Sequence, residues 1–153
     1  MAESVNNDER GDISPELDEL SSALMGDALD LLADGQPVNV LVVVEDAQRN
    51  VASFQFADDG PEETLRAAHE QVLKLAAAGG DPKSHLGEPV RYAVAYEGMV
   101  CDTDGAYRDA LLVEFGERGR KSYSAYSFFT GRGKHGRFRW SEPAPAGELD
   151  SLL

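Results

Sequence analysis

The run Val38–Phe56, VNVLVVVEDAQRNVASFQF, holds two β-rich stretches, Val38–Glu45 and Val51–Phe56, on either side of the polar connection Asp46-Ala47-Gln48-Arg49-Asn50. β-Branched and aromatic residues flanking a short polar segment read as a hairpin. On both sides of that hairpin the apolar spacing changes from that of a strand to that of a helix. This switch decides the fold class.

Upstream, Leu17, Leu20, Leu24, Ala28 and Leu31 recur at intervals of 3, 4, 4 and 3, and Met25, Leu29 and Leu32 widen the stripe. That pattern predicts an amphipathic helix of about five turns. Ser14 is placed to cap it, Pro15 stands where a missing N–H is no loss, and Glu16, Asp18 and Glu19 suit its positive end. Gly35 and Pro37 stop it. Downstream, Asp59-Gly60-Pro61 opens a second helix carrying Leu65, Ala68, Val72, Leu75 and Ala76, which Gly79-Gly80-Asp81-Pro82 ends.

Three further strands follow. Val90, Tyr92, Val94 and Tyr96 alternate with Arg91, Ala93 and Ala95; the turn Asp102-Thr103-Asp104-Gly105 leads into Tyr107–Gly116; and Gly119 marks the reversal into Tyr123–Phe129. Ala110–Val113 is a continuous apolar run of the kind a central strand shows. A short last strand is expected at Arg137–Trp140. The order α-β-β-α-β-β-β predicts an α+β fold: one domain over residues 13–142, with an antiparallel five- to six-stranded sheet and two main helices covering one face. Residues 1–12, acidic and without periodicity, are expected to be disordered, and residues 143–153 are read as a Pro/Ala-rich tail.

The element order is similar to that of roadblock and profilin-like modules. Separately, Ala95-Tyr96-Glu97-Gly98, Asp104-Gly105 and the stretch Asp109–Gly119 resemble the core of a group of small uncharacterised bacterial proteins. The first resemblance implies a fold alone, and neither carries a functional residue. Secretion chaperones are also small, acidic, dimeric α+β proteins, but they run three strands after the first helix where this chain has a hairpin.

Charge is sorted along the chain. The net charge is −14, yet seven of the fourteen basic residues lie between Arg118 and Trp140, a stretch without Asp or Glu. They are Arg118, Arg120, Lys121, Arg132, Lys134, Arg137 and Arg139, interleaved with Tyr123, Tyr126, Phe128, Phe129, Phe138 and Trp140. Cations mixed with stacking rings are what single-stranded nucleic acid exploits. The first 36 residues instead carry ten acids against Arg10 alone. A chain this acidic repels a polyanion, so the basic segment reads first as a counter-surface for the acidic helix, within or between subunits.

Motifs for chemistry are incomplete. Gly131-Arg132-Gly133-Lys134-His135-Gly136 matches G-x-G-x-x-G, but Arg137-Phe138-Arg139-Trp140 follows where a phosphate-binding helix is required. Asp102-Thr103-Asp104-Gly105 opens like a calcium loop and lacks the distal Glu. His69, His85, His135 and Cys101 show no metal-ligand spacing, and His69, beside Ala68 and Val72, reads as a half-buried structural histidine. Glu97, Asp109, Glu114 and Glu117 lie on adjacent predicted strands, where a solvated face is the first reading. No catalytic set, metal site or cofactor is assigned.

A single cysteine forms no intrachain disulfide, the first residues have neither the basic nor the apolar region of a secretory signal, and no apolar run approaches the ~20 residues of a membrane span. The expectation is a cytoplasmic, non-enzymatic protein-interaction module without membrane contact. It pairs with itself as a homodimer or with a partner protein, through the first helix, the basic hairpin, or both. Binding of nucleic acid or an anionic ligand by residues 118–140 is the alternative, and an enzyme assembling Tyr, His and carboxylates across the sheet is a third.

Overall fold

A computed structural model describes residues 13–57 and 60–153. The expectation of disorder over residues 1–12 lies outside the described residues. Helix α1 spans Pro15–Ala33, strands β1 and β2 span Val40–Asp46 and Val51–Phe56, and helix α2 spans Pro61–Ala78. Strands β3 (Pro89–Cys101), β4 (Tyr107–Glu117), β5 (Ser122–Thr130), β6 (Arg139–Trp140) and β7 (Ala144–Leu149) follow. The fold is α+β, with an antiparallel seven-stranded sheet in the order β2-β1-β3-β4-β5-β6, β7 also pairing with β5.

Two features depart from the sequence expectation. Residues 144–149, read as part of a tail, form β7 and pair with Ser122–Tyr126, with a register shift between Ser124 and Ala125. Pro145 is tolerated there because β7 is an edge strand and needs no outward donor.

The second departure concerns the layers. The helices lie on opposite faces of the sheet, not on one. Leu24, Ala28, Leu29 and Leu32 of α1 pack with Ala93, Ala95, Leu111 and Val113, whereas Ala68, Val72 and Leu75 of α2 pack with Val42, Val44, Tyr92 and Val94. Alternate residues of one strand point to opposite faces, so β3 feeds both cores. The cause is in β1 and β3: Val40–Val44 and Tyr92–Ala95 are apolar at every position, and such strands need cover on both sides.

Both helices are capped as expected. The Ser14 hydroxyl accepts the Leu17 N–H at 3.0 Å, and Gly79, at φ 73°, closes α2. Helix α1 buries Leu17 and Leu32 completely, each worth about 1.5–3 kcal/mol. Met25 and Leu31, partly buried, pack against the same core. The helix is therefore spent on its own subunit. Among the described residues no helix is long and apolar enough to cross a membrane.

Candidate functional site

The basic segment does not form one surface. Strand β5 runs through its middle, and nine residues at about 3.3 Å each separate its ends by about 30 Å. At one end Arg118 pairs with Glu88 (2.7 Å), Arg120 with Glu117 (3.5 Å) and Lys121 with Glu148 (3.3 Å). At the other, Arg132 binds both oxygens of Glu97, at 2.5 and 3.0 Å. Lys134 and Arg137 have no carboxylate within 4 Å among the described residues, and Arg139 Nη1 donates to the Phe138 carbonyl at 2.9 Å.

The Gly131–Phe138 loop is used internally. α1 ends with Asp30 and Asp34 and no basic residue in its last turn, an arrangement its negative end disfavours. The loop corrects this: the Gly133 N–H donates to the Leu32 carbonyl at 3.0 Å, and His135 Nε2 lies 3.1 Å from Asp34 Oδ1. Phe138 enters the α1 core. No helix N-terminus follows the glycines, because His135–Arg137 is a single 3-10 turn. Of the acids along α1, Glu19 is paired by Arg49 of the β1–β2 turn at 3.2 Å, and the Gly131–Phe138 loop meets the helix at its C-terminal end.

The rings divide between core and surface. Phe129 and Phe138 are buried, Tyr123, Tyr126 and Phe128 are half-buried, and Trp140 is 58% exposed. Arg108, which lies outside the segment singled out from the sequence, sets its guanidinium carbon 5.0 Å from the Phe128 ring centre. It lines a shallow corner of about 190 Å³ with Phe128, Phe129, Arg139 and Trp140.

Sequence reasoning also missed a polar cluster on the α2 face. Glu114 of β4 accepts the Tyr96 hydroxyl on Oε2 and meets His69 Nε2 on Oε1, both at 2.7 Å. Burial opposes the Glu114 charge, but the hydrogen bonds from His69 and Tyr96 outweigh it and hold the carboxyl below its ordinary value. Tyr96 is pushed the other way, first by burial and then by the Glu114 charge, far above the usual phenol range. General acid–base work at neutral pH needs a group near 7, and these two are driven away from it.

Two buried carboxylate centres are structural by geometry. Arg91 reaches Glu45 through Nη1 and Glu117 through Nε, the latter at 2.9 Å, and all three side chains are nearly buried. Glu117 Oε1 has no hydrogen bond. Asp46, 1% exposed, accepts from the Gln48, Asn50 and Gly87 backbones and from Asn50 Nδ2. Burial works against its charge, and those four bonds prevail, so its carboxyl sits below the ordinary value.

The remaining candidates stay apart. Asp102 closes a turn by accepting the Asp104 and Ala106 N–H groups, and Cys101 beside it is exposed. Among the described residues no group of three or more His, Cys, Asp or Glu side chains is placed to hold a metal. An apolar groove of about 440 Å³ opens between the start of α1 and β7, lined by Ile13, Phe115, Tyr123, Ala125, Pro143 and Pro145 among others. Met99 and Tyr107 stand 61% and 69% exposed, on the face that carries α1, as does Trp140 opposite Phe129.

Comparison with known protein families, with curated proteins and with solved structures finds no match to this chain, so no residue role is carried over from a relative.

Proposed function

We propose that this chain is a non-enzymatic protein-interaction module that self-associates or binds a partner protein. One observation carries the reading: Met99, Tyr107 and Trp140 are left largely exposed on one face, while Glu114, a buried candidate for chemistry, has both oxygens engaged. Large apolar groups exposed together mark surfaces that meet protein. The single exposed cysteine suits a reducing compartment, and we place the protein in the cytoplasm.

Size-exclusion chromatography with light scattering, over a range of concentration and salt, tests it. Self-association gives a mass that rises with concentration. A strict monomer under every condition removes the self-association version.

A second reading has its own observation. Arg108, Phe128, Arg139 and Trp140 share one corner, a pairing of cation and ring that suits an anionic or nucleic-acid ligand. Its mark is retardation of a single-stranded oligonucleotide at low salt that falls steeply as salt rises and is lost in Arg137→Ala/Arg139→Ala. Absence of retardation at low salt ends it.

A further inference from the structure

The two edges of the sheet are treated differently. On the β5 side the rim is broken and defended: β6 has two residues, β7 carries Pro145 and a register shift, and Lys121 pairs with Glu148 along it. Prolines, bulges and charges are the devices that stop an edge from recruiting another strand. The β2 edge has none of them. Val51-Ala52-Ser53-Phe54-Gln55-Phe56-Ala57 contains no charge, proline or glycine, and among the described residues no strand pairs with the outer side of β2.

Resting on the self-association reading, we propose that β2 is the surface of self-association: a second copy adds its own β2 antiparallel to the first, about a two-fold axis. An unpaired strand leaves alternate N–H and C=O groups facing outward, and a symmetric antiparallel pair satisfies both sets at once. A register centred on Phe54 sets Phe54 against its counterpart and Ala52 against Phe56 of the partner subunit, a small residue opposite a large one. Paired residues in antiparallel strands share a face, so the α2 faces of the two copies join. Half-buried Phe54 and Phe56 then gain cover, as does Val51, 44% exposed, on the other face.

Charge does not bar a second copy at this edge. Two chains of −14 repel each other over most of their surfaces, and a neutral strand lets them approach without setting acid against acid. The salt dependence follows in sign. Screening relieves the long-range repulsion and leaves the ladder intact, so this dimer tightens as salt rises. Docking of the acidic helix onto the basic loops of another copy would weaken instead.

The experiment is sedimentation equilibrium of the wild-type chain, Ser53→Glu and, as a control on the opposite edge, Leu149→Ser at low and high salt, with hydrogen exchange of the wild type at low and high concentration. Ser53 is exposed on β2, so the substitution places charge on the edge without touching the core. The expected result is a dimer that salt strengthens, weakened about tenfold in Ser53→Glu and unchanged in Leu149→Ser, with the outward-facing β2 amides protected only at high concentration. A dimer indifferent to Ser53→Glu, with β2 exchange independent of concentration, overturns the edge pairing and leaves self-association standing. A monomer throughout overturns both. If Ser53→Glu unfolds, the wild-type exchange comparison decides.

Discussion

His69 Nε2 of α2 lies 2.7 Å from Glu114 Oε1 of β4, a contact that joins a helix to the sheet across 45 residues of sequence. With Tyr96 on the other oxygen, Glu114 is an acceptor for two donors that have no other side-chain partner among the described residues. Glu114→Leu strands both and is expected to destabilise by about 2–3 kcal/mol. Glu114→Gln keeps an acceptor for the Tyr96 hydroxyl and should lose about 1 kcal/mol. Urea midpoints compare them, and equal losses would mean the polar contacts contribute nothing beyond packing.

The same carboxylate and Asp46 set an acid limit. Both hold folded pKa values below their ordinary ones, so the unfolded chain takes up protons first as pH falls. Their stabilisation is complete above the unfolded values of about 4 and is lost as pH falls through the lower folded ones. Tyr96 and Tyr92 are raised, both chiefly by burial, so their contribution is present below about 10 and declines as pH rises through the folded values. Urea denaturation across the pH range should show a plateau in the middle with falls at both ends. In Glu114→Gln the acid fall should be shallower.

Arg91 holds two buried carboxylates apart from each other's repulsion. Arg91→Met leaves Glu45 and Glu117 buried without their cation, for an expected loss of about 3–5 kcal/mol. Changing all three residues to apolar ones of similar size should recover most of it, since no buried charge then remains uncompensated. Thermal melts of the single and triple variants decide. A triple variant as unstable as the single one would show that packing, not charge, is at stake.

Glycines in the basic loop are unequal. A Cβ on Gly131, at φ 78°, would come within 2.3 Å of the Arg137 carbonyl oxygen, and neither backbone can yield cheaply. Gly131→Ala is expected to lower the melting temperature well beyond Gly136→Ala, where a Cβ meets nothing within 4 Å. Because that loop caps α1, hydrogen exchange in the last turn of the helix should rise with Gly131→Ala.

Helix, hairpin and helix could be read because the period of the apolar residues changes at Val38 and again after Phe56. Two-sided cover was also written in Val40–Val44, five apolar residues in a row, although such a run is equally compatible with several layer arrangements. The β7 strand was hidden: Ala144–Leu149 lacks β-branched residues and contains Pro145, and it pairs because β5 offers an edge. The basic segment was legible as composition and not as a surface, because a nine-residue strand divides it. His69 read correctly as half-buried, but its partners Glu114 and Tyr96 come from other elements, and no local spacing announces them.

Division of the basic segment has a measurable consequence. Arg118, Arg120 and Lys121 are each matched by a carboxylate of the same chain in partly exposed pairs, which contribute little because solvent screens them. Replacing all three with Ala should shift stability by less than about 1 kcal/mol per pair. Arg132→Ala should do more, because its two bonds to Glu97 fasten the Gly131–Phe138 loop beside the α1–β1 connection, where Glu97 Oε2 also accepts the Val38 N–H at 3.3 Å. Neither change should alter retention on a heparin column at physiological salt, where a chain of −14 with most of these cations internally paired is expected to pass unretained. Retention that disappears with the triple substitution would show that Arg118, Arg120 and Lys121 exchange their carboxylates for an outside anion, and would return the 118–121 turn to the binding surface.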